Sequence, residues 1–478
     1  MAILPATAGP IVGESGPDHV RILLRGDPRT HAGSVRPDAG IIRWRPRGSD
    51  GWQGPLQFRL NRNFDFTGLV VLRDLQPGTD YEFQCGCMNG DPPVSADWAD
   101  ASAGSFRTAP ADEASAISFY LGSCSYRFFN GDVDNLDDRA DKAFRAMLER
   151  EARDGPVDFC LFAGDQVYAD PMHRLGDLHH QDQFFRLYRR AFSQPWLGKL
   201  LASRSNYMIL DDHEIENNWP VAAQQDDRVT KYPAAIKAYQ VYQASHSPAM
   251  PLDPSGRWPD RDPAHFWYRF QRGCADFFVM DVRNERLLAA QEDQRLMVSM
   301  AQEQALIRWL GERPERIKCL VSPVVMFPDQ RPVMGGKDAW EGFVAQRTRI
   351  LEAIRHSGAR RVLVLSGDVH AALATRLHCV GPDDQAMTIH NLVCSGLFWP
   401  SALMAFRWHE WALSPDPALA TRGPAADYRV ERISEMYSRD AFARVDLSPS
   451  GCDFRVFSRK GEPVPGAGCR IDWPMGKL

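Results

Sequence analysis

Up to about residue 110 the chain alternates apolar and polar positions in short runs: HVRILLRG, GIIRWRP, GLVVLRDL, TDYEFQCGC and GSFRTAP. Turn-forming residues separate these runs, and period-two alternation at that spacing predicts an all-β sandwich. From about residue 117 the pattern changes. Continuous apolar runs (ISFYLGSCSY, VDFCLFAGD, NYMILDDHE, ADFFVMDVR, KCLVSPVVMF, RVLVLSGDVH) alternate with stretches of helical period, the signature of an α/β layered fold. Ala140, Ala143, Phe144, Met147 and Leu148 form one apolar helical stripe after Asp137 and Asp138. The segment EGFVAQRTRILEAIRHSG reads as a helix closed by glycine. Residues 171–265, rich in His, Gln, Tyr and Trp, read as a partly helical insertion over the sheet edge. The stretch AFARVDLSPSGCDFRVFSR reads as an antiparallel hairpin. The expected division is an N-terminal β-sandwich over residues 1–112 and an α/β domain over 113–478, with TAPADEASA (108–116) as linker.

Four of the buried strands end in residues that bind metals or move protons. They give Cys124; Asp165 and Tyr168; Asp211, Asp212, His213 and Glu214; and Asp368 with His370. In open α/β sheets the loops past the carboxyl ends of the strands line one crevice, so residues some 250 positions apart can converge there. Taken singly, each has a plainer role. A cysteine after a strand is often a small buried hydrophobe, an aspartate after glycine a turn or cap, and a tyrosine a wall residue. Three acids and a histidine in DDHE are harder to place without a cation, since they repel one another. Repetition at four strand ends is what favours a metal centre.

The donor set narrows the cation. Carboxylates and phenolate suit Fe(III), Mn, Mg or Ca, whereas thiolate and imidazole favour transition metals. Asp165, on a central strand, is the natural bridge between two cations, and a two-metal centre supports in-line displacement at phosphorus.

Composition removes several alternatives. Lys plus Arg number 56 against 61 Asp plus Glu, a net charge of −5 without a long single-sign block. That leaves no nucleic-acid footprint and no polybasic membrane patch. No apolar run approaches the ~18 residues of a transmembrane helix. Ten scattered cysteines without paired C-x-x-C sets read as reduced thiols. The start of the sequence shows no signal peptide, so the expected compartment is cytoplasmic as written, and periplasmic or secreted only if a leader was trimmed.

The order Gly-Ser-Cys-Ser, Gly-Asp-x-x-Tyr, Asp-Asp-His-Glu and Ser-Gly-Asp-Val-His resembles the PhoD-like alkaline phosphatases of the calcineurin-like metallophosphoesterase superfamily. DVRNER and GGKDAWEGF look like further landmarks of that family. The stretch LQPGTDYEFQCGCMNG resembles the late strands of a fibronectin type III module, the sort of β-rich companion the family carries. The resemblance implies a metallophosphoesterase domain whose layered central β-sandwich is flanked by helices. It implies that Cys124, Asp165, Tyr168 and His370 hold Fe(III), and that Asp165 bridges to a second ion held by Asp212 and Asp368. The second ion is expected to be Ca²⁺, with Mg²⁺, Mn²⁺ or Zn²⁺ as alternatives. His213 corresponds to the histidine that contacts the phosphoryl group and protonates the leaving oxygen, and Arg283 is a candidate for a non-bridging phosphate oxygen. The sequence departs from the superfamily in lacking a metal-binding histidine near LVSPVVMF; Asn217, Asn218, His173, His179 or His180 are the candidates to complete the second site.

The expected activity is hydrolysis of phosphate monoesters or diesters by a metal-bound hydroxide. A phospholipase D-type diesterase acting on lipid or teichoic-acid-like polymer substrates is the alternative within the enzyme class, because HFWYRF and LFWPSALMAFRWHEW offer aromatics for an apolar cleft or for core packing. A binding protein with a structural metal centre is the alternative outside it.

Overall fold

A computed structural model of the chain describes residues 2–26, 39–88, 96–127, 138–170, 178–252, 262–329, 338–380, 387–400, 411 and 427–473. His173, Asp137 and parts of GGKDAWEGF and LFWPSALMAFRWHEW lie outside the described residues.

Seven strands come from the N-terminal part: β1 (Ala8–Ser15), β2 (Val20–Arg25), β3 (Ala39–Pro46), β4 (Gln53–Arg59), β5 (Thr67–Leu72), β6 (Asp80–Met88) and β7 (Ser102–Arg107). They form two antiparallel sheets, ordered β1-β2-β5 and β4-β3-β6-β7. One apolar cluster, including Val12, Ile22, Leu24, Ile42, Val70 and Phe83, draws on both sheets. Alternation along the runs supplies that shared face, as the sequence predicts. β1 and β4 were not among the runs singled out from the sequence.

The second part begins with β8 (Ile117–Gly122), α1 (Arg139–Asp154), β9 (Phe159–Ala163), α2 (Gln181–Phe192), α3 (Pro195–Leu201), β10 (Ser205–Ile209) and α4 (Lys231–Tyr242). It continues with β11 (Tyr268–Arg272), β12 (Ala275–Val279), α5 (Met300–Gly311), β13 (Ile317–Val321), α6 (Val344–His356), β14 (Val362–Ser366), β15 (Ala372–Val380) and β16 (Met387–Cys394). It closes with β17 (Asp427–Arg432), β18 (Ala441–Ser448), β19 (Gly451–Ser458) and β20 (Cys469–Asp472).

These strands build a six-stranded sheet, β10-β9-β8-β18-β19-β20, and a seven-stranded sheet, β11-β12-β13-β14-β16-β15-β17. The strands that lead to the site run parallel to their neighbours: β8, β9 and β10 in one sheet, and β14 with β13 and β12 in the other. Both faces of such strands are covered, which is why they read as unbroken apolar runs. Phe119 stacks on Phe159 at 4.8 Å, and both meet Phe277 of the other sheet edge-on at 5.7 and 5.5 Å. On the far face of the seven-stranded sheet, Phe278, Leu320 and Val364 pack with Leu306 and Leu310 of α5 and Ile350 and Ile354 of α6. The α1 stripe packs against the six-stranded sheet, where Tyr120 Oη donates to the Met147 carbonyl at 2.8 Å.

Two expectations are sharpened. The hairpin near the end of the chain is β18–β19, but β18 also pairs antiparallel with β8, so it completes the sheet that carries Cys124 and Asp165. HFWYRF enters the core: Phe270 of β11 stacks on Tyr207 at 3.7 Å and on Phe277 at 4.4 Å. The aromatic residues of that run therefore pack between strands instead of lining a cleft.

The helical insertion packs onto the N-terminal sheets. Asp65 accepts from Arg25 (3.1 and 3.2 Å) and from Arg189 of α2 (2.6 Å), and Tyr242 of α4 also donates to it. Arg272 donates to the Ser15 and Arg107 carbonyls at 3.1 and 3.0 Å, and Asn206 donates to the Val12 carbonyl at 3.0 Å. Gly13 sits against His246, where a Cβ would lie 2.1 Å from the His246 carbonyl oxygen. Only glycine lets the two backbones approach so closely.

His246 is fully buried at this junction, and its Nδ1 has no hydrogen-bond partner among the described residues. Burial lowers its pKa from the ordinary 6.5 to about 4. The unfolded chain therefore takes up a proton here before the folded chain does. The contribution to stability is complete above about pH 6.5 and is lost as pH falls toward 4. We expect the unfolding free energy to drop over that window by about 1.4 kcal/mol per unit of pKa difference. His246→Gln should remove one proton's worth of that slope. Denaturant titrations of both proteins at pH 7, 5.5 and 4.5 measure it, and parallel pH profiles would count against it.

Candidate metal centre

Parallel strands bring their carboxyl ends to one edge, and the loops there turn sharply. Gly164, at φ +94°, ends β9 so close to the next loop that a Cβ would lie 2.4 Å from Asp211 Cβ. Cys124, Asp165, Asp368 and His370 all adopt positive φ (57°, 56°, 70° and 52°) without being glycine. Such left-handed residues cost about 1 kcal/mol or more each and persist where the surroundings hold them.

These loops gather the donors predicted from the sequence. Cys124 Sγ donates to Asp165 Oδ2 at 3.2 Å, and Tyr168 Oη donates to the same oxygen at 3.5 Å. The Ser395 hydroxyl donates to Cys124 Sγ at 3.1 Å and accepts from the His370 backbone N–H at 2.9 Å. Asp165, Asp212 and His213 each bring a ligand atom within 4.8 Å of the others, and so do Asp211, Asp212 and Asp368. Asp212 thus belongs to both groups. Asp165, Tyr168 and Asp212 are buried, whereas Asp368 and His370 are half-buried, so the more open side of the cluster is theirs. The His370 ring stacks on Trp399 at 4.0 Å, and the Trp399 ring lies 5.7 Å from Tyr168.

Residues that sequence reasoning quoted without a role, or passed over, hold this arrangement. The Glu214 carboxylate is wholly buried and accepts from the backbone N–H groups of Asp165 (3.0 Å), Gln166 (2.7 Å) and Asp211 (2.9 Å), and from Gln243 Nε2 (3.1 Å). One side chain therefore ties the loop after β9 to the loop after β10. Asp170 Oδ2 pairs with His213 Nδ1 at 2.5 Å, while the Asn217 N–H donates to Oδ1. The Tyr168 and His213 rings lie 4.3 Å apart. Asp170 closes the same LFAGDQVYAD stretch that holds Asp165 and Tyr168, so proximity in sequence was the available signal.

Arg283 is placed differently from the expected phosphate contact. Its side chain is 0% exposed and fully engaged. Nε donates to Asp211, Nη2 lies 3.4 Å from Asp212 Oδ1, and Nη1 donates to Asp338 Oδ1 (2.5 Å) and the Trp219 carbonyl (3.1 Å). It braces the acids from behind. Asn218 reaches Asp212 through its backbone N–H, and the side chains of Asn217, Asn218, His179 and His180 are exposed.

The electrostatics follow from crowding. Burial first, then Cys124, Asp212, Asp211 and Glu214, hold the Asp165 carboxyl well above the usual range. Burial and Asp211 do the same to Asp368, and burial with Cys124 and Asp165 raises Tyr168. Burial raises Cys124 to about 11 and Asp211 to about 6. Burial pushes Asp212 up as well, but Arg283, His213 and the Asn218 N–H outweigh it and keep that carboxyl low. For His213 burial acts downward, yet Asp212 and Asp170 raise it to about 9. The buried Asp211 Oδ2 has no partner among the described residues. Acids that repel, a thiol and a phenol that share one carboxylate oxygen, and an orphaned carboxylate oxygen fit a site built for cations.

A seven-stranded sheet facing a six-stranded one, with acids and histidines in the strand-end loops, defines a metallophosphoesterase-type fold. A solved structure of PhoD shares it with a TM-score of 0.70 and 19% identity, covering 98% of this chain and 89% of that one. A purple acid phosphatase, PPD1, from yellow lupin (Lupinus luteus) seeds shares it with a TM-score of 0.57 and 11% identity, covering 98% and 75%. At sequence level, the PhoD-like phosphatase family profile matches residues 134–406. The chain belongs to the PhoD-like phosphatase family. Alkaline phosphatase D of Bacillus subtilis (strain 168) is 29% identical over 189 residues, 35% of this chain and 31% of that protein. The chain thus aligns with about a third of the length of that curated relative.

Glu214 gives the structural test. Glutamine in its place would turn an NH₂ group toward backbone donors that need an acceptor. Glu214→Gln should cost about 2–4 kcal/mol and lower the apparent unfolding temperature by several degrees in the metal-loaded protein. Differential scanning calorimetry reads this, and an unchanged transition would show that Glu214 does not tie the loops.

Proposed function

We propose that the chain is a metal-dependent phosphoesterase acting on phosphate monoesters, diesters or both. The observation that supports this most is the Cys124–Asp165–Tyr168 contact set lying beside the acids Asp211, Asp212 and Asp368. In this reading Cys124, Asp165, Tyr168 and His370 hold Fe(III). Asp165, Asp212 and Asp368 hold the second cation, for which an oxygen-rich set favours Ca²⁺ or Mg²⁺ over softer ions. Residues 1–112 act as a β-sandwich unit and 113–478 as the catalytic unit. When bound, the cations supply Lewis acidity toward water and the phosphoryl oxygens.

The side chains do the rest. Asp165 accepts the His213 backbone N–H at 3.3 Å, so the bridging candidate and the histidine keep fixed relative positions. Asp170 holds His213 at Nδ1 and stabilises its protonated form, leaving Nε2 to contact the phosphoryl group and protonate the leaving oxygen. Arg283 acts as a positioning residue through Asp211 and Asp212, in place of the direct phosphate contact first expected of it. The half-buried Asp368 and His370 leave an approach for the ester.

A diesterase with an apolar leaving group is the second reading, favoured by the half-buried Trp399 beside His370 and Tyr168; Tyr126 and Phe398 are buried beneath it. Comparing bis-p-nitrophenyl phosphate with p-nitrophenyl phosphate separates the two preferences.

The purified protein should be coloured by a tyrosinate-to-iron charge-transfer band. Asp165→Asn should lose that band's normal position together with at least 99% of turnover, roughly 2.7 kcal/mol or more in barrier. Visible spectra, elemental analysis and p-nitrophenyl phosphate assays check both. A colourless, iron-free protein with full activity overturns the iron assignment. Absence of ester hydrolysis with every divalent ion tried, and with iron, would favour a non-catalytic binding protein.

A further inference from the structure

We propose that Ser123 and Ser395 are positioning residues of the metal centre. Their hydroxyls donate to the Cys124 sulfur, one from its own loop and one from the facing sheet, and set how much charge that sulfur gives to the bound ion. This rests on the ligand set read above, in which Cys124 holds iron. Ser123 follows β8 directly and Ser395 follows β16, and both are 0% exposed. Their hydroxyl oxygens lie 3.3 and 3.1 Å from Cys124 Sγ. Hydrogen bonds to a metal-bound thiolate draw charge away from the metal and are among the levers that tune its potential.

The direction of each bond follows from what the partners can offer. A serine hydroxyl carries one proton and two acceptor lone pairs. Ser395 Oγ accepts the His370 backbone N–H at 2.9 Å, so its one proton is left for Cys124 Sγ. A cysteine that binds a metal is deprotonated. Sγ then only accepts, and Ser123 Oγ is the donor to it. Asp165 Oδ2, 3.2 Å from Sγ, belongs to the same ligand set and brings no proton once an ion is bound.

Backbone contacts fix both serines independently of their side chains. The Leu397 N–H donates to the Ser123 carbonyl at 2.9 Å, the Phe398 N–H to the Cys124 carbonyl at 3.3 Å, and the Tyr126 N–H to the Phe398 carbonyl at 3.0 Å. Residues 395–398 therefore run alongside the Cys124 loop and tie the two sheets together. Gly367, next to Asp368, closes on Ser123 from another side, since a Cβ there would lie 2.3 Å from Ser123 Oγ. Serines with a purely structural role would fill space and satisfy the His370 N–H, and would leave the electron density on sulfur unchanged. Two hydroxyl protons on one sulfur do more. They leave a ferric ion poorer in electrons, and so a stronger Lewis acid toward a phosphate ester, with no change in its ligands.

The test uses the full-length, iron-loaded protein and the variants Ser123→Ala, Ser395→Ala and Ser395→Thr, with the Fe(III)/Fe(II) potential read by spectroelectrochemistry. Each alanine variant should shift that equilibrium on the order of tenfold toward Fe(III), about 59 mV for a one-electron couple. The tyrosinate-to-iron band should move to shorter wavelength with it, because the iron has become harder to reduce. Ser123→Ala should keep the parent's iron content. Ser395→Ala also strips the His370 N–H of its acceptor and should hold iron on the order of tenfold more weakly. Ser395→Thr keeps the hydroxyl and should restore the parent potential. If the Ser395 variants do not fold, Ser123→Ala decides alone. Co(II) loaded in place of the native ions gives a reading that does not depend on iron. Its thiolate-to-cobalt band should move to longer wavelength in each alanine variant, since a sulfur without the hydrogen bond releases charge more easily. Equal potentials and equal band positions in parent and Ser123→Ala overturn the proposal. A parent that takes up no iron but shows the cobalt shift removes the iron assignment and leaves the serine assignment standing. Normal iron uptake and colour without either shift does the reverse.

Discussion

Mutual repulsion among buried acids is the condition around which this molecule is arranged. Asp165, Asp211, Asp212 and Glu214 are buried together in the strand-end loops, beside the half-buried Asp368. At an effective dielectric of about 20, two like charges about 4 Å apart repel by roughly 4 kcal/mol. The fold meets that repulsion in several ways. Burial and the neighbouring acids raise the pKa values of Asp165, Asp211 and Asp368. Glu214 receives three backbone N–H groups, and Arg283 and His213 supply positive charge next to Asp212. A bound cation would add what these leave unmet, since the same groups then become ligands.

Holding that cluster demands rigid strand ends. Four of the six proposed ligands sit at positive φ, a conformation a free chain rarely adopts away from glycine. Two facing sheets with aromatic packing between them, and helices behind each, supply the stiffness that keeps the loops there. The β18–β19 hairpin contributes by pairing with β8, the strand that leads directly to Cys124. Ser395, just past β16, then connects the Cys124 loop to the His370 loop across the two sheets. The centre is thus a property of the whole second part of the chain.

Much of the site was legible because its candidate ligands follow uninterrupted apolar strands, and charge abruptly after such a run is conspicuous. Cys124, Asp165, Asp212, His213, Asp368 and His370 were picked out on that ground, and the structure brings them to one edge. The α1 stripe and the glycine-closed α6 were legible from helical period. Arg283 was not: a guanidinium after a strand looks the same whether it faces substrate or carboxylates. Nor were the duties of Glu214 and Asp170, because a buried acid accepting backbone N–H groups carries no local mark. HFWYRF left cleft and core open, and only its stacking against Phe277 and Tyr207 decided for the core.

Residue types and their periods therefore determined which segments are strands or helices, which strand ends carry donors, and which family the motif order resembles. Those are local properties, set by side-chain alternation and by the charge that follows it. The tertiary structure alone decided which acids share a cation-sized space, that Arg283 backs the cluster, that β18 joins β8, and that Ser395 meets the Cys124 sulfur. Those are matters of distance and burial between residues up to some 320 positions apart, and no local pattern encodes them.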